Sequence, residues 1–214
     1  MAAGEATRLG EPVAKQFLDL CGKPVIIHAL STFENLPYVG TKYVAVQRDD
    51  VELADHLLRK HKITNFVIVC GGNTRQKSVR LALQHVRTRR VITHNAALPF
   101  VTKLLIDNVV REDYCCVTTV TPVQQSLCRG DEFARQMVPP EGLKLINTPQ
   151  SFHTGPFRKC HRKANEDHLV VRTDCELMLH YGYRVKFVQG VSENFKITTP
   201  LDMILARALA RSEH

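Results

Sequence analysis

The segment KYVAVQRDDVELADHLLRKHKITNFVIVCGG, residues 42–72, decides the fold class of this chain. Its two ends, 42–47 and 65–70, are short apolar runs rich in valine that predict buried strands. Residues 51–62 between them have the apolar spacing of a helix. A strand, a helix and a second strand in succession are typical of a parallel sheet covered by helices. We therefore predict an α/β fold.

The same alternation continues on both sides of this segment. It predicts helices over 24–35, 74–87, 100–111, 154–165 and 174–181, strands over 91–94, 115–120 and 183–189, and a last helix from Pro200. Asn73, Thr173 and Thr199 are expected to cap helices because each precedes a helical pattern with a side chain that can accept from a free N–H. Residues 121–147 break the alternation and predict a projecting arm or long hairpin within a single domain of residues 1–214.

Composition limits the cellular setting and the class of partner. The 214 residues are 44% hydrophobic, yet no apolar run approaches the ~18 residues that a membrane span needs, so we expect no membrane segment. Seven cysteines without a CxxC pair suit a reducing compartment, the cytosol. A formal net charge of +8 suits either a nucleic acid or a substrate with several phosphates.

Four stretches follow predicted strands or open the chain, where an open parallel sheet binds its ligands. They are AAGEATR (2–8), GGNTRQKS (71–78), HNAALP (94–99) and ENFKITTP (193–200). Small residues allow backbone N–H groups to approach an anion, and Arg8, Lys15 and Lys196 supply positive charge. His94 is equally well explained as a structural residue or as a ligand. The histidines have no metal-ligand spacing.

In this order the stretches resemble the IspD-type cytidylyltransferases, which join a polyol phosphate to CTP. The residues that carry the resemblance are AAGEATRLG, AKQ, GKP, GGNTRQKSV, HNAALP, TPQ and NFKITTPLD, from Ala2 to about Leu209. The resemblance implies a Rossmann-like nucleotidyltransferase fold, of three layers, with a β-arm that builds a homodimer. It also implies Mg²⁺ as cofactor, and CTP and a polyol phosphate as substrates.

The resemblance further implies a role for each matching residue. Those expected to hold the cytosine and ribose are Ala2, Ala3, Gly4, Gly71, Gly72 and Ser78. Arg8 and Lys15 would bind the triphosphate, and Lys196 would face the α-phosphate under attack. Ser126 stands where the family has a threonine that touches the second substrate.

Several positions depart from the family pattern. Asn95 replaces an aspartate that contacts the nucleotide and helps to place the metal, so Asn95 is expected to be a weak metal ligand. Leu98 and Pro140 replace arginines that grip the polyol phosphate, while Ala6 and Ala14 replace a glycine and a proline. Two interpretations therefore stay open, an active cytidylyltransferase and a nucleotide-binding homologue that has lost its catalytic power.

The second substrate and the start of the chain give two more expectations. TDCELMLHYG (173–182) resembles the animal members that make CDP-ribitol, so D-ribitol 5-phosphate is favoured over 2-C-methyl-D-erythritol 4-phosphate. A nucleic-acid partner, suggested by RKCHRK (158–163), is not expected because no aromatic platform accompanies the charges. In the family a central β-strand precedes the AAG loop, and Met1 stands where that strand should end, so we expect a truncated or misassigned start.

Overall fold

The computed structural model describes residues 1–2 and 14–212. Its strands are β1 (Asp19–Leu20), β2 (Lys23–Pro24), β3 (Lys42–Val46), β4 (Phe66–Cys70), β5 (Arg90–Thr93), β6 (Cys116–Pro122), β7 (Leu127–Gly130), β8 (Ala134–Val138), β9 (Lys144–His153) and β10 (Lys186–Gln189). Its α-helices are α1 (Val25–Glu34), α2 (Val51–Lys60), α3 (Arg75–Leu83), α4 (Lys103–Arg111), α5 (Thr154–Glu166), α6 (Asp174–His180) and α7 (Pro200–Ser212). The predicted α/β alternation is confirmed.

The strands form two main sheet segments. One has the order β10-β6-β9-β5, and the other pairs β3 with β4 in parallel. Strand β10 runs parallel to β6, but β9 runs antiparallel to both of its neighbours, so the sheet is mixed rather than wholly parallel. The sequence did not reveal the second half of β9, because its buried positions include the polar Thr148, Gln150 and Ser151.

Helix caps show which local signals were correct. The Thr173 hydroxyl oxygen accepts from the Glu176 N–H (3.1 Å), and Thr199 accepts from the Asp202 N–H (3.2 Å), so both predicted caps are confirmed. The predicted cap at Asn73 is wrong. Thr74 caps α3 instead, accepting from the Lys77 N–H (3.1 Å), and α3 ends at Leu83 rather than at residue 87.

Residues 1 and 2 lie between the two sheet segments. The Ala2 N–H donates to the carbonyl of Ala45 in β3 (2.8 Å), and the Met1 carbonyl accepts from the Ala96 N–H just after β5 (3.0 Å). The Met1 amino group donates to the His94 carbonyl (2.8 Å). One short piece of backbone therefore links β3 to the end of β5.

A cavity of about 350 Å³ continues from Met1 between β3 and β5. Its walls are mainly apolar side chains of α1, α3 and the two strands, among them Leu30, Phe33, Val44, Val79 and Val91. Within residues 1–2 and 14–212, no strand occupies this position of the sheet. The described part of the chain thus leaves the position between β3 and β5 open.

Strands β7 and β8 form a hairpin that extends β6 and β9 away from the sheet. The hairpin is solvent-exposed along most of its length, including the large apolar side chains of Phe133 (76% exposed) and Met137 (63% exposed). It falls within the predicted arm at residues 121–147. Among the helices of the described residues, none has both the length and the apolar character needed to cross a bilayer.

Candidate active site

The four candidate stretches converge on one small cavity at the sheet edge. It has a volume of about 100 Å³ and is lined by Met1, Ala2, Lys15, Gln16, Arg75, Ser78, Asn95, Ala96, Ala97 and Lys196. The structure therefore brings together Ala2, Lys15, Ser78, Asn95 and Lys196 from the sequence-based set. Among the described lining residues there is no carboxylate side chain, so the cavity presents cations and neutral polar groups.

Ala2 and Lys15 are held together by Gln16, a residue that sequence reasoning did not single out. The Gln16 side chain is buried, and its amide nitrogen donates to the Ala2 carbonyl oxygen (2.5 Å). Because Ala2 is in turn bonded to Ala45, this contact fixes the short 3₁₀ helix Lys15–Phe17 against the sheet. Lys15, its first residue, thereby lies at the cavity.

The turn between β4 and α3 contains two glycines and is held by backbone and side-chain hydrogen bonds. The Gly71 N–H donates to the Val46 carbonyl (2.7 Å), and the Gly72 N–H donates to the Ser78 hydroxyl oxygen (3.0 Å). A Cβ at Gly72 would come within 2.3 Å of the Lys77 Cγ, so a side chain there would displace Lys77. Ser78, fully buried, donates in turn to the Thr74 carbonyl (2.9 Å).

Lys196 reaches the cavity because its neighbours are anchored to β9 and to the 94–99 loop. The Ile197 N–H donates to the Ala97 carbonyl (2.9 Å). Asn194, buried, donates from its side chain to the Thr148 carbonyl (2.7 Å), and Asn147 donates to the Asn194 carbonyl (2.6 Å). These bonds explain the asparagine two residues before the lysine, since its amide fixes the backbone that presents Lys196.

Asn95 is held in place by its own loop. Its N–H donates to the Thr148 hydroxyl oxygen (3.3 Å), and its Oδ1 accepts from the Ala97 N–H (3.0 Å). In the part of the chain that the structure describes, no three histidine, cysteine, aspartate or glutamate residues are grouped as a metal site. The Asn95 amide oxygen keeps a second lone pair with which it could accept a cation at this cavity.

The structure favours the structural role for His94. One ring nitrogen bonds to the Leu98 carbonyl (3.0 Å) and the other to the Thr148 hydroxyl (3.0 Å). Removal from water lowers the pKa of His94 to about 3, against the opposing effect of the bond to Leu98. A neutral imidazole that joins two loops is a packing element. Leu98 itself is buried in the core, so its side chain cannot reach a phosphate in solvent.

Some predicted residues are not brought to this cavity. Ser126 lies in the exposed loop before β7, outside the lining residues, and Pro140 is exposed near the end of the hairpin. Ala3, Gly4 and Arg8 lie outside the described residues.

Arg75 is a lining residue that sequence reasoning missed. It is the first residue of α3, and its two terminal nitrogens donate to the two carboxylate oxygens of Asp174 (2.8 and 2.6 Å). Burial by itself would raise the pKa of Asp174, but the Arg75 guanidinium outweighs it and holds that pKa below its ordinary value. The capping pattern TDCE had assigned Asp174 only to the first turn of a helix, because its partner is 99 residues away.

This geometry suits a polyanionic ligand. Two lysines and an arginine line a small recess, and such groups bind phosphate by charge and by N–H donors. Gly71 and Gly72 do not line it, but Gly72 is bonded to the lining residue Ser78. The lining residues described contain no thiol and no acidic side chain to act as nucleophile or general base. The cavity can therefore bind and orient a phosphate ester and stabilise developing negative charge.

Comparison with known proteins agrees with the family resemblance of the sequence motifs. The family model described as IspD, 2-C-methyl-D-erythritol 4-phosphate cytidylyltransferase, matches residues 1–212. A protein of that name from Halalkalibacterium halodurans is 33% identical over 214 residues, covering 97% of this chain and 93% of that protein. Another from Salinibacter ruber is 36% identical over 214 residues, covering 97% and 90%.

Solved structures confirm the Rossmann-like nucleotidyltransferase fold. The crystal structure of 2-C-methyl-D-erythritol 4-phosphate cytidylyltransferase from Thermus thermophilus aligns with a TM-score of 0.80 and 32% identity, covering 92% of this chain and 94% of that one. The 4-diphosphocytidyl-2C-methyl-D-erythritol synthase from Anaerococcus prevotii aligns with a TM-score of 0.85, covering 98% and 93%; at 23% identity it supports the fold alone.

The expectation that D-ribitol 5-phosphate is the second substrate is wrong. It depended on the likeness of one ten-residue stretch, whereas the match over nearly the whole chain is to proteins named for 2-C-methyl-D-erythritol 4-phosphate. The motifs, the converging cavity and the full-length match agree on one assignment: this chain belongs to the IspD family of cytidylyltransferases.

Proposed function

We propose that this chain transfers the CMP group of CTP to 2-C-methyl-D-erythritol 4-phosphate and releases pyrophosphate. The observation that carries the proposal is the convergence of Lys15 and Lys196 on the cavity that Ala2 and Ser78 also line, in a chain of this family. Positive charge and the nucleotide-binding stretches therefore occur at one place.

The reaction needs positioning rather than covalent chemistry. An oxygen of the polyol phosphate attacks the α-phosphorus of CTP, the new P–O bond forms, and the bond to the β-phosphate oxygen breaks as pyrophosphate leaves. The attacking oxygen is already ionised near neutral pH, so the absence of a carboxylate among the described lining residues is no obstacle. Lys196 would stabilise charge at the α-phosphate, and Lys15 the charge that develops on pyrophosphate.

The nucleotide would lie between the start of the chain and the β4–α3 turn. We assign the cytosine and ribose to Ala2, Gly71, Gly72 and Ser78, because the first and last line the cavity and the glycines hold the turn beside it. Ala3, Gly4 and Arg8 are assigned to the same nucleotide by resemblance alone. The bond between Gly72 and Ser78 favours recognition by a preformed surface.

Mg²⁺ is proposed to enter with the nucleotide. Mg²⁺ commonly keeps several waters and binds through substrate phosphates with few protein ligands. The amide oxygen of Asn95 fits that mode as one weak ligand. When bound, the cation would neutralise phosphate charge, while Lys15 and Lys196 orient the two phosphate groups.

Replacing Asn95 by aspartate should lower the Mg²⁺ concentration needed for half-maximal activity by about threefold or more. A carboxylate oxygen can keep the bond from the Ala97 N–H while adding the negative charge that a hard cation prefers. Activity measured across a Mg²⁺ titration tests this, with Asn165→Asp as the control, since Asn165 is exposed on α5 and outside the lining residues. An unchanged midpoint would contradict a role for residue 95 in placing the metal.

The test of the proposed function is pyrophosphate release by the purified chain. With CTP, Mg²⁺ and 2-C-methyl-D-erythritol 4-phosphate we expect one pyrophosphate per cytidine diphosphate product formed, and no turnover when UTP or ATP replaces CTP. D-ribitol 5-phosphate serves as the comparison substrate. Measurable CTP binding by calorimetry without turnover would overturn the proposal and favour the interpretation of a homologue that retains only nucleotide binding.

We also propose that the arm pairs two copies of the chain. Phe133 and Met137 on the hairpin and Leu145 and Ile146 on β9 are large apolar side chains that are 42–76% exposed. Exposed apolar groups gathered on a projecting element are typical of an interaction surface.

A Phe133→Asp, Met137→Asp double variant should therefore shift the mass measured by light scattering from dimer to monomer. The matched control is Leu104→Asp, since Leu104 is 62% exposed on α4, outside the arm. A monomeric parent chain, or a dimer that the double variant leaves intact, would contradict pairing through the arm.

We also propose that the reaction takes place in the cytosol. All seven cysteines are free thiols, and Cys116 and Cys175 remain unlinked although their sulfur atoms are 3.8 Å apart and buried. Unlinked thiols at such a distance suit a reducing compartment.

A further inference from the structure

We propose that Arg75 and Asp174 form a positioning pair that fixes the β4–α3 turn for the nucleotide. This inference rests on the proposed function and adds two residues to it. Neither residue needs to react: the pair acts through Gly72 and Ser78, whose mutual hydrogen bond shapes the nucleotide side of the cavity.

The geometry of the pair is tightly constrained. Asp174 is 2% exposed, and both of its carboxylate oxygens accept from Arg75 in a two-pronged contact (2.8 and 2.6 Å). The Thr93 hydroxyl at the end of β5 donates to the same carboxylate (3.1 Å). One buried anion therefore joins the first residue of α3, the first residue of α6 and the last residue of β5.

A second contact holds the same turn of α3 to the same partner segment. The Gln76 side chain donates to the Leu169 carbonyl and accepts from the Val171 N–H (both 3.0 Å). Two consecutive residues of α3 are thus bound to the start of α6 and to the segment that leads into it. We call these contacts of Arg75 and Gln76 the clamp. Thr74, the cap of α3, and Ser78 one turn later lie on the helix end that the clamp holds in place.

A contribution to folding stability does not by itself explain why a buried ion pair occurs here. Burying a carboxylate and a guanidinium costs desolvation that their attraction often only balances, and well-packed apolar side chains can replace buried ion pairs without loss. The pair instead fixes the orientation of the Arg75 side chain, because a planar guanidinium held at two points cannot rotate. Arg75 is also 30% exposed and lines the cavity, so its orientation determines the shape of the nucleotide side.

The experiment compares Arg75→Lys with Arg90→Lys. Lysine keeps the charge but cannot make the two-pronged contact. Arg90 is a matched control: it is 20% exposed, donates to Glu112, Ser151 and Asp113, and lies at the opposite end of β5 from Thr93. We expect Arg75→Lys to raise the KM for CTP about tenfold or more, with kcat and the KM for the polyol phosphate changed less than about threefold.

Two further variants each remove one element of the clamp, Asp174→Asn and the milder Thr93→Val. Both should raise the KM for CTP while changing kcat and the KM for the polyol phosphate little, and the effect of Thr93→Val should be the smaller. In the Arg75→Lys background, Asp174→Asn should add little further change in that KM, because both act through one contact. A merely structural role would instead reduce the amount of folded enzyme, lower kcat and leave the KM for CTP unchanged, as expected for Arg90→Lys. That pattern would overturn the proposal.

The dissociation constant for CTP, measured by calorimetry, separates this inference from the proposed function. If the parent chain binds CTP but shows no turnover, the proposed function fails while the affinity ratio between Arg75→Lys and Arg90→Lys still tests the pair. Equal CTP affinity in the two variants would contradict the positioning role whichever substrate is used.

Discussion

Replacing Lys196 by methionine should lower kcat for CMP transfer by on the order of 100-fold or more, with little change in thermal stability. In the proposed reaction this charge faces the α-phosphate, where negative charge grows during the attack, so its loss should raise the barrier of the chemical step. The backbone of residue 196 is fixed by neighbouring bonds at Ile197 and Asn194, which the substitution leaves in place. Lys15→Met should have an effect of similar size.

Single-turnover kinetics with saturating CTP would measure this effect apart from binding. Lys159→Met is the control, because Lys159 is an exposed lysine on α5 outside the cavity lining. If kcat of Lys196→Met stayed within about threefold of the parent chain, the assignment of Lys196 to the α-phosphate would have to be abandoned. Methionine preserves much of the apolar stem, so a loss of packing would not imitate the result.

Joining five β-branched apolar residues ahead of Met1 should stabilise the 214-residue polypeptide by about 3 kcal/mol or more. The added residues would extend the backbone that already bonds to His94, Ala45 and Ala96 and would enter the cavity of about 350 Å³ between β3 and β5. There they would cover apolar walls and pair with the facing strand edges. For a chain of this size the midpoint of thermal unfolding should rise by about 6 °C or more.

The pH dependence of stability provides a second readout of the same extension. In the 214-residue polypeptide, burial, helped by the charge of Arg75, lowers the pKa of the Met1 amino group from 8.0 to about 5. The unfolded chain then binds more protons between pH 5 and 8, so the free energy of unfolding should rise with pH across that window, by up to roughly 4 kcal/mol. An amide N–H keeps the bond to His94 without a charge, so the extended chain should lose the contribution of this amine. The loss is measured between about pH 6.5 and 8, above the ordinary pKa of the histidines.

A five-residue extension of alternating glycine and serine is the control, since it converts the amine to an amide but supplies no apolar side chains. It should remove the contribution of the amine to the slope between about pH 6.5 and 8 while giving little of the gain in stability at pH 8. Equal stability of the two extended chains at pH 8 would contradict strand insertion, because the apolar cavity would then contribute nothing.

Much of the fold could be predicted from the sequence because helices, strands and caps depend on residues that are close together along the chain. The apolar periods at 42–47, 51–62 and 65–70 predict β3, α2 and β4 because side-chain spacing alone decides which face is buried. The caps at Thr173 and Thr199 involve neighbours three residues away and were predicted for the same reason. The ordered motifs that mark the family also lie along the chain, so they needed no coordinates.

The tertiary structure alone showed that Arg75 and Gln16 join the residues already predicted for the site. Arg75 and Asp174 are 99 residues apart, and the bond from Gln16 to Ala2 depends on how the chain returns to the sheet edge. Strand β9 was missed because polar side chains occupy its buried positions. Its backbone hydrogen bonds go to β5 and β6, which are distant in sequence. Local spacing thus determined the elements, the caps and the family of this protein. Only folding, which brings distant groups within hydrogen-bond distance, determined the contacts that fix the nucleotide turn.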